Sequence, residues 1–218
     1  MLALLGGPPV RSQPFPSWPI FGDEEEARLL RALRSGKWGR LHGQEVSEFE
    51  QRFASMHGCA HGIAVVNGTV SLRIALMAAG IRAEDEVIVP PYTFISTASA
   101  VVEANAIPVF ADVDLKTFNL DPAAVEPAIT PRTRAIIPVH FAGQPADMDA
   151  IIEIAQARDL VVIEDAAHAH GASYRERPAG SLGQLASFSF QSSKNLTAGE
   201  GGIITTNDDA LAEACRSI

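Results

Sequence analysis

The chain has 218 residues, 47% hydrophobic and 20% charged, with 17 glycines and 14 prolines. That is the composition of a folded protein of about one domain, and it excludes disordered, collagen-like and low-complexity chains. Seventeen basic residues against 26 acidic ones give a net charge of −9, which disfavours nucleic acid and anionic membrane as partners but leaves room for a local anion site. No apolar run approaches the roughly 18–20 residues of a membrane span. The first residues, Met1-Leu-Ala-Leu-Leu-Gly-Gly, lack the basic segment of a signal peptide, so the expected location is the cytoplasm.

Residues 1–22 are rich in proline and glycine and read as an extended N-terminal arm, with a single α/β domain over 23–218. Residues 23–35 predict a helix, with acids in the first turn, arginines in the last and Gly36 just past its end. After a loop, 44–57 resume a helical period with Val46, Phe49, Phe53 and Met56 on one face. His57-Gly58-Cys59-Ala60-His61 brings three potential metal ligands together, but no fourth stands at a zinc-site spacing. The segment reads as a helix end running into a strand, and no metal is expected. Cys59 and Cys215 are too far apart in sequence to suggest a disulfide framework or a zinc ribbon.

From there short apolar runs alternate with helical segments. Strands are predicted at 62–66, 86–89, 108–111, 135–139, 160–164, 186–190 and 202–205, and helices at 70–79, 95–105, 122–128 and 147–158. Runs such as Val161-Val162-Ile163 suit strands buried on both faces. The alternation predicts an α/β sandwich with a mostly parallel sheet, in which ligands bind beyond the carboxyl ends of the strands. Residues 208–218 predict a final helix, after which the chain reads as cut before its domain is complete.

The segments following the strands carry the chemistry. Asn67-Gly68-Thr69 opens a helix; Gly68 lets backbone approach an anion and Thr69 adds a hydroxyl, although the same residues also make an ordinary turn and N-cap. Pro91-Tyr92-Thr93-Phe94 places aromatics where a planar ligand would stack, with core packing as the competing reading. Asp165 ends an apolar run. A buried carboxylate there needs a partner, such as a protonated ring nitrogen, or else it caps the next turn. Only three lysines exist, Lys37, Lys116 and Lys194. The first two sit in polar surface contexts, whereas Lys194 lies among serines and glycines, with room for a carbonyl partner. An anion cradle, a flat aromatic, a buried acid and a lysine are together what pyridoxal 5′-phosphate requires.

These residues sit in motifs that resemble the DegT/DnrJ/EryC1/StrS sugar aminotransferases. The pieces are Ser35-Gly-Lys-Trp38, Asn67-Gly-Thr69, Pro91-Tyr-Thr-Phe94, Phe110-Ala-Asp-Val-Asp114, Pro138-Val-His-Phe-Ala-Gly143, Glu164-Asp-Ala-Ala-His-Ala-His-Gly171, Ser189-Phe-Gln191 before Lys194, and Thr197-Ala-Gly-Glu-Gly-Gly202. The versions around Asp165 and Ser189 look closest to the branch of scyllo-inosose aminotransferases and 3-amino-5-hydroxybenzoate synthases. The resemblance implies the large domain of a fold-type I pyridoxal-phosphate enzyme, an α/β/α sandwich around a seven-stranded sheet, without the family's C-terminal small domain. It implies a homodimer with its site at the subunit interface.

It further implies that Lys194 forms the Schiff base and shuttles the proton, Asp165 pairs with the pyridine nitrogen and His168 meets the ring's 3-oxygen. Gly68, Thr69 and Ser189 would hold the phosphate, Phe94 would stack on the ring, and Tyr92 and Gln191 would face substrate. The implied reaction moves an amino group from glutamate or glutamine to a keto-sugar or keto-cyclitol. An aromatising synthase would use the same lysine, and a non-catalytic binding protein on this fold would be expected to have lost the cofactor residues. A nicotinamide dehydrogenase lacks support, because no Gly-x-Gly-x-x-Gly follows a strand.

Overall fold

Helix α1 (Asp23–Ser35) opens on four consecutive acids and closes at Gly36, whose φ of 66° is left-handed. Glu25 accepts a hydrogen bond from the Gly22 N–H at 2.7 Å, so the first turn has both its charge and its cap. The computed structural model describes residues 1–218, which divide into the units Met1–Trp38 and Gly39–Ile218. The first unit holds α1 and a 3-10 turn at Ala3–Leu5. No helix is long and apolar enough to cross a membrane.

The second unit is built on one sheet. Its strands are β1 (His61–Val65), β2 (Glu86–Val89), β3 (Ile107–Phe110), β4 (Thr133–Ile136), β5 (Val161–Asp165), β8 (Leu185–Ser189) and β9 (Gly202–Thr206), in the order β1-β9-β8-β5-β4-β2-β3. A separate two-stranded hairpin joins β6 (Ser173–Tyr174) to β7 (Arg177–Pro178). From β3 to β8 every pairing is parallel, and β9 runs antiparallel to both its neighbours. The predicted seven-stranded, mostly parallel sheet is what forms.

Period-two alternation sends successive residues to opposite faces. Val87 and Val89 join one core with Ile137, Ile163 and Ile204, against α3 (Gly68–Ala78), α4 (Ser96–Glu103) and α7 (Asp209–Ser217). Ile88, Ile136 and Val162 face the other way, against α5 (Pro122–Ala128) and α6 (Met148–Ala157). Ala186 and Phe188 cover that second face next to α2 (Glu45–Met56), which contributes Phe53. Helices on both faces of the sheet make the α/β/α sandwich.

Two boundaries differ from expectation for physical reasons. The strand expected over 135–139 ends at Ile136. Pro138 has no N–H for the ladder, and Val139 makes only an isolated bridge to Asp165. Asp165, expected just past its strand, is instead the last residue of β5, paired with Ser187 of β8.

Candidate active site

The carboxyl ends of β1, β2, β5 and β8 lie along one edge of the sheet, and the amino end of antiparallel β9 meets them there: Gly202 pairs with both Val65 and Ser189. Every residue predicted for the site stands at this edge: Asp165 and Ser189 end their strands, and the others lie on the segments that follow.

After β1, Asn67 caps α3 by accepting the Val70 N–H at 2.8 Å, and its carbonyl takes the Ser71 N–H. The ordinary N-cap and the anion cradle thus coexist, because the amides of Gly68 and Thr69 at the head of the helix keep no protein acceptor. Unpaired amides at the positive end of an eleven-residue helix favour an anion. Gly68 is required on steric grounds. A Cβ there would lie 2.8 Å from Ser189 Cβ and 3.3 Å from Ser189 Oγ, on a strand that cannot give way. Thr69 Oγ1 pairs with Ser96 Oγ at 2.6 Å. The Gly68 carbonyl accepts from Ser71 at 2.7 Å and from Ser187 at 3.3 Å, which ties the helix start to β8. Gly202 presses on the same turn: a Cβ on it would lie 2.5 Å from the Asn67 carbonyl.

Asp165 is buried at the end of β5. Its Oδ2 accepts from Thr97 Oγ1 at 2.7 Å and its Oδ1 from the Ala167 N–H at 3.2 Å. Thr97 is fully buried on α4 and is itself paired with Thr93 at 2.8 Å. The carboxylate therefore has a fixed orientation and remaining lone pairs. Lys194 stands in the turn between β8 and β9, held by its N–H to the Gln191 carbonyl at 2.9 Å. Burial pulls its ammonium below the usual lysine range, partly offset by the charge of Asp165. Lys37 and Lys116 are both exposed. The one lysine expected to do chemistry is the one that is half-buried and within electrostatic reach of the buried acid.

His168 is half-buried, its Nδ1 accepting from the Ala142 N–H at 3.3 Å. Burial and Lys194 lower its pKa, with Asp165 acting in the opposite sense. Tyr92 packs on Phe141 with ring centroids 4.7 Å apart and on Phe118 at 5.5 Å, and Phe141 meets His168 at 6.2 Å. Phe94 is 69% exposed, at the head of α4, with no aromatic neighbour. Gln191 accepts from both the N–H and the hydroxyl of Ser193 (2.8 and 2.7 Å) and donates to Ser192 at 2.8 Å, bracing the Lys194 turn from within.

Other supports were not read from the sequence. Glu164, completely buried, accepts from His140 Nε2 at 2.8 Å and from the amides of Gly180, Leu182 and Gly183 at 2.7–2.8 Å. Burial opposes its ionisation, but the His140 hydrogen bond and the amides of Gly183 and Gly180 outweigh it, and its carboxyl is held below the ordinary range. Thr97 and Ser187 were likewise missed. A glutamate directly before Asp165 at the end of an apolar run was the available signal for Glu164; nothing marked the two hydroxyls. In the segment that raised a metal question, His57 closes α2 and lends Nδ1 to the Ala179 carbonyl at 2.5 Å, and His61 opens β1 and pairs with Asp209 at 2.7 Å.

Comparison with known proteins places this geometry. The profile of the DegT/DnrJ/EryC1/StrS aminotransferase family matches residues 19–218. The L-glutamine:2-deoxy-scyllo-inosose aminotransferase of Micromonospora echinospora is 46% identical over 97% of the chain and 52% of that protein. The crystal structure of 3-amino-5-hydroxybenzoic acid synthase superposes with a TM-score of 0.92 at 46% identity, covering 94% of this chain and 54% of the other. The structure of ntda from Bacillus subtilis with bound cofactor PMP matches with a TM-score of 0.83 at 34% identity, over 90% and 45% of the two chains. The chain spans about half the length of the curated relatives it matches.

Proposed function

The chain belongs to the DegT/DnrJ/EryC1/StrS aminotransferase family, and from that premise we propose that it carries the cofactor-binding half of a pyridoxal-phosphate-dependent aminotransferase. In this reading an amino acid, glutamate or glutamine, gives its amine to a keto-cyclitol or keto-sugar. The enzyme works in the cytoplasm as a homodimer whose site lies at the subunit interface, with residues 1–22 as an arm and 23–218 as the large domain. The observation that carries it is Lys194, a half-buried amine of depressed basicity within the electrostatic reach of buried Asp165.

The residues present fit the cofactor. The cradle of the Gly68 and Thr69 amides, with the hydroxyls of Thr69 and Ser189 beside it, has the chemistry of a phosphate site, and a single added methyl at Gly68 would collide with Ser189 and displace the helix start that forms it. When bound, pyridoxal phosphate supplies an electron sink for the carbon that bears the amino group. Asp165, oriented by Thr97 and the Ala167 amide, would hold a proton on the ring nitrogen. His168 would direct a hydrogen bond at the ring oxygen. Phe94 would stack on the ring, and Tyr92 and Gln191 would face the acceptor. Lys194, its basicity lowered by burial, would take a proton from the α-carbon of the amino donor and deliver one where the acceptor is aminated.

Borohydride reduction tests the assignment directly. The longest available chain is incubated with pyridoxal phosphate, reduced, digested and mapped by mass. Label on the Lys194 peptide is the expected result; label confined to Lys37 or Lys116, or none on a folded full-length protein, overturns it. A second test reads the cradle. Gly68→Ala is expected to weaken cofactor binding at least about tenfold, or roughly 1.4 kcal/mol, in an absorbance titration with the sheet intact by circular dichroism. Unchanged affinity would place the phosphate elsewhere.

The synthase relatives favour a second reading of the same site, an aromatising reaction on an amino-dehydroshikimate-like substrate. Product analysis with that substrate against a keto-cyclitol separates the two.

A further inference from the structure

We propose that the Ala142 N–H, set in place by the carboxamide of Asn119, locks His168 in the neutral tautomer that carries its proton on Nε2. Asn119 is then a positioning residue for the candidate site. The use of that proton rests on the reading above; the lock itself does not.

A backbone N–H can only donate. The Ala142 amide is directed at His168 Nδ1 at 3.3 Å, so that nitrogen presents its lone pair and the ring proton resides on Nε2. Burial and the nearby Lys194 both work against a second proton, and Asp165 only partly opposes them. Nε2 has no hydrogen-bond partner in the chain and is not a buried atom. It is left as a donor open to a ligand.

The Ala142 amide reaches the ring only because the backbone there is unusual. Phe141–Gly143 form a single 3-10 turn in which Ala142 has φ 51° and ψ 23°, left-handed values that a non-glycine residue adopts only when its surroundings impose them. Asn119 imposes them. It is 3% exposed, and its Oδ1 accepts the Phe141 N–H at 2.9 Å while its Nδ2 donates to the carbonyls of Gln144 at 3.0 Å and Pro145 at 3.1 Å. One side chain grips the turn on both sides of Ala142. Its amide orientation is fixed as well, because exchanging O and N would lose all three bonds. The turn is also seated against its target: a Cβ on Gly143 would lie 3.1 Å from the His168 carbonyl oxygen.

Side-chain 15N spectroscopy of histidine-labelled full chain at pH 7.5, without cofactor, tests this, with His168→Gln assigning the signal. Wild-type His168 is expected as the Nε2–H form. Asn119→Ala is expected to raise the Nδ1–H fraction at least tenfold, with the signals of His57 and His61 unmoved. Ala142→Gly, which keeps the N–H and accepts the left-handed turn, is expected to retain the wild-type tautomer. A wild-type ring protonated on Nδ1 or doubly protonated overturns the proposal, as does an unchanged tautomer in a folded Asn119→Ala chain. If that variant does not fold, Asn119→Asp, which keeps the acceptor and loses the donors, takes its place under the same criteria. Because the spectrum is read without cofactor, failed borohydride trapping leaves the lock standing, and a failed lock leaves the trapping result untouched.

Discussion

Lys194→Ala is expected to lower amino transfer by about 10²–10⁴-fold or more, the usual weight of a positioned proton-transfer group, in the full-length enzyme with cofactor bound. Lys194→Arg should be no better, because a guanidinium stays charged and cannot act as an amine nucleophile or base at neutral pH. The loss belongs in kcat, since truncating the Lys194 side chain leaves the hydrogen bonds that hold Asp165 and the Gly68 turn intact. The check is a single-turnover assay with the amino donor alone, alongside far-UV circular dichroism. Activity within tenfold of wild type in either variant would remove Lys194 from the chemistry and take the proposed function with it.

The largest structural effect is expected at Glu164. Replacing it by Ala leaves the His140 donor and three backbone amides buried without an acceptor. Each buried donor left without its acceptor costs about 1–3 kcal/mol, so the combined loss is several kcal/mol, or a fall in Tm on the order of ten degrees for a chain of this size. Glu164→Gln keeps one acceptor oxygen for two of the four donors but turns its NH2 against the other two, so its cost should remain a substantial share of the alanine loss. Acid acts on the same region with a definite sign. His57 and His170 have pKa values lowered by burial, His170 to about 4 from an ordinary 6.5. The unfolded chain therefore binds protons that the folded chain refuses, and stability falls as pH drops from about 6.5 towards 4. Glu164, also held low, adds to the loss below its ordinary pKa of 4.5. Denaturant titrations across pH 7 to 4 measure this slope; a flat profile would mean that the histidines are not held neutral in the folded state.

The fold is legible in the sequence where a residue type or a terminator is scarce. Helices α1 and α5 fall where expected because acids, a glycine stop and Asp121-Pro122 define their ends. Lys194 stood out because two of only three lysines had an innocuous context. The fold is hidden where common residues take uncommon backbone. The β6–β7 hairpin was missed because its turn residues, Arg175 and Glu176, sit at φ 47° and 67° without the usual Gly or Asn signal. They are held by tertiary contacts, Tyr174 to Asp147 at 2.6 Å and both Arg175 of the turn and Arg177 of β7 to Asp149. Thr97 and Asn119 were invisible for a related reason. A hydroxyl on a helix and an amide in a loop look ordinary until the fold brings Asp165 and the 141–143 turn against them.

The place of β9 in the sheet bears on how this chain emerges from the ribosome. His61–Val65 finds its only ladder partner in Gly202–Thr206, and Ser189 and Gly202 complete the wall behind Gly68. At roughly 5–20 residues synthesised per second, β1 waits about 7–28 seconds with both edges unpaired. The sheet from β2 to β5 can assemble meanwhile, since its parallel neighbours are already made. A nascent chain stalled before Gly202 would present a bare apolar strand and a half-built cradle, the form most exposed to chaperone capture and to pairing with another nascent copy.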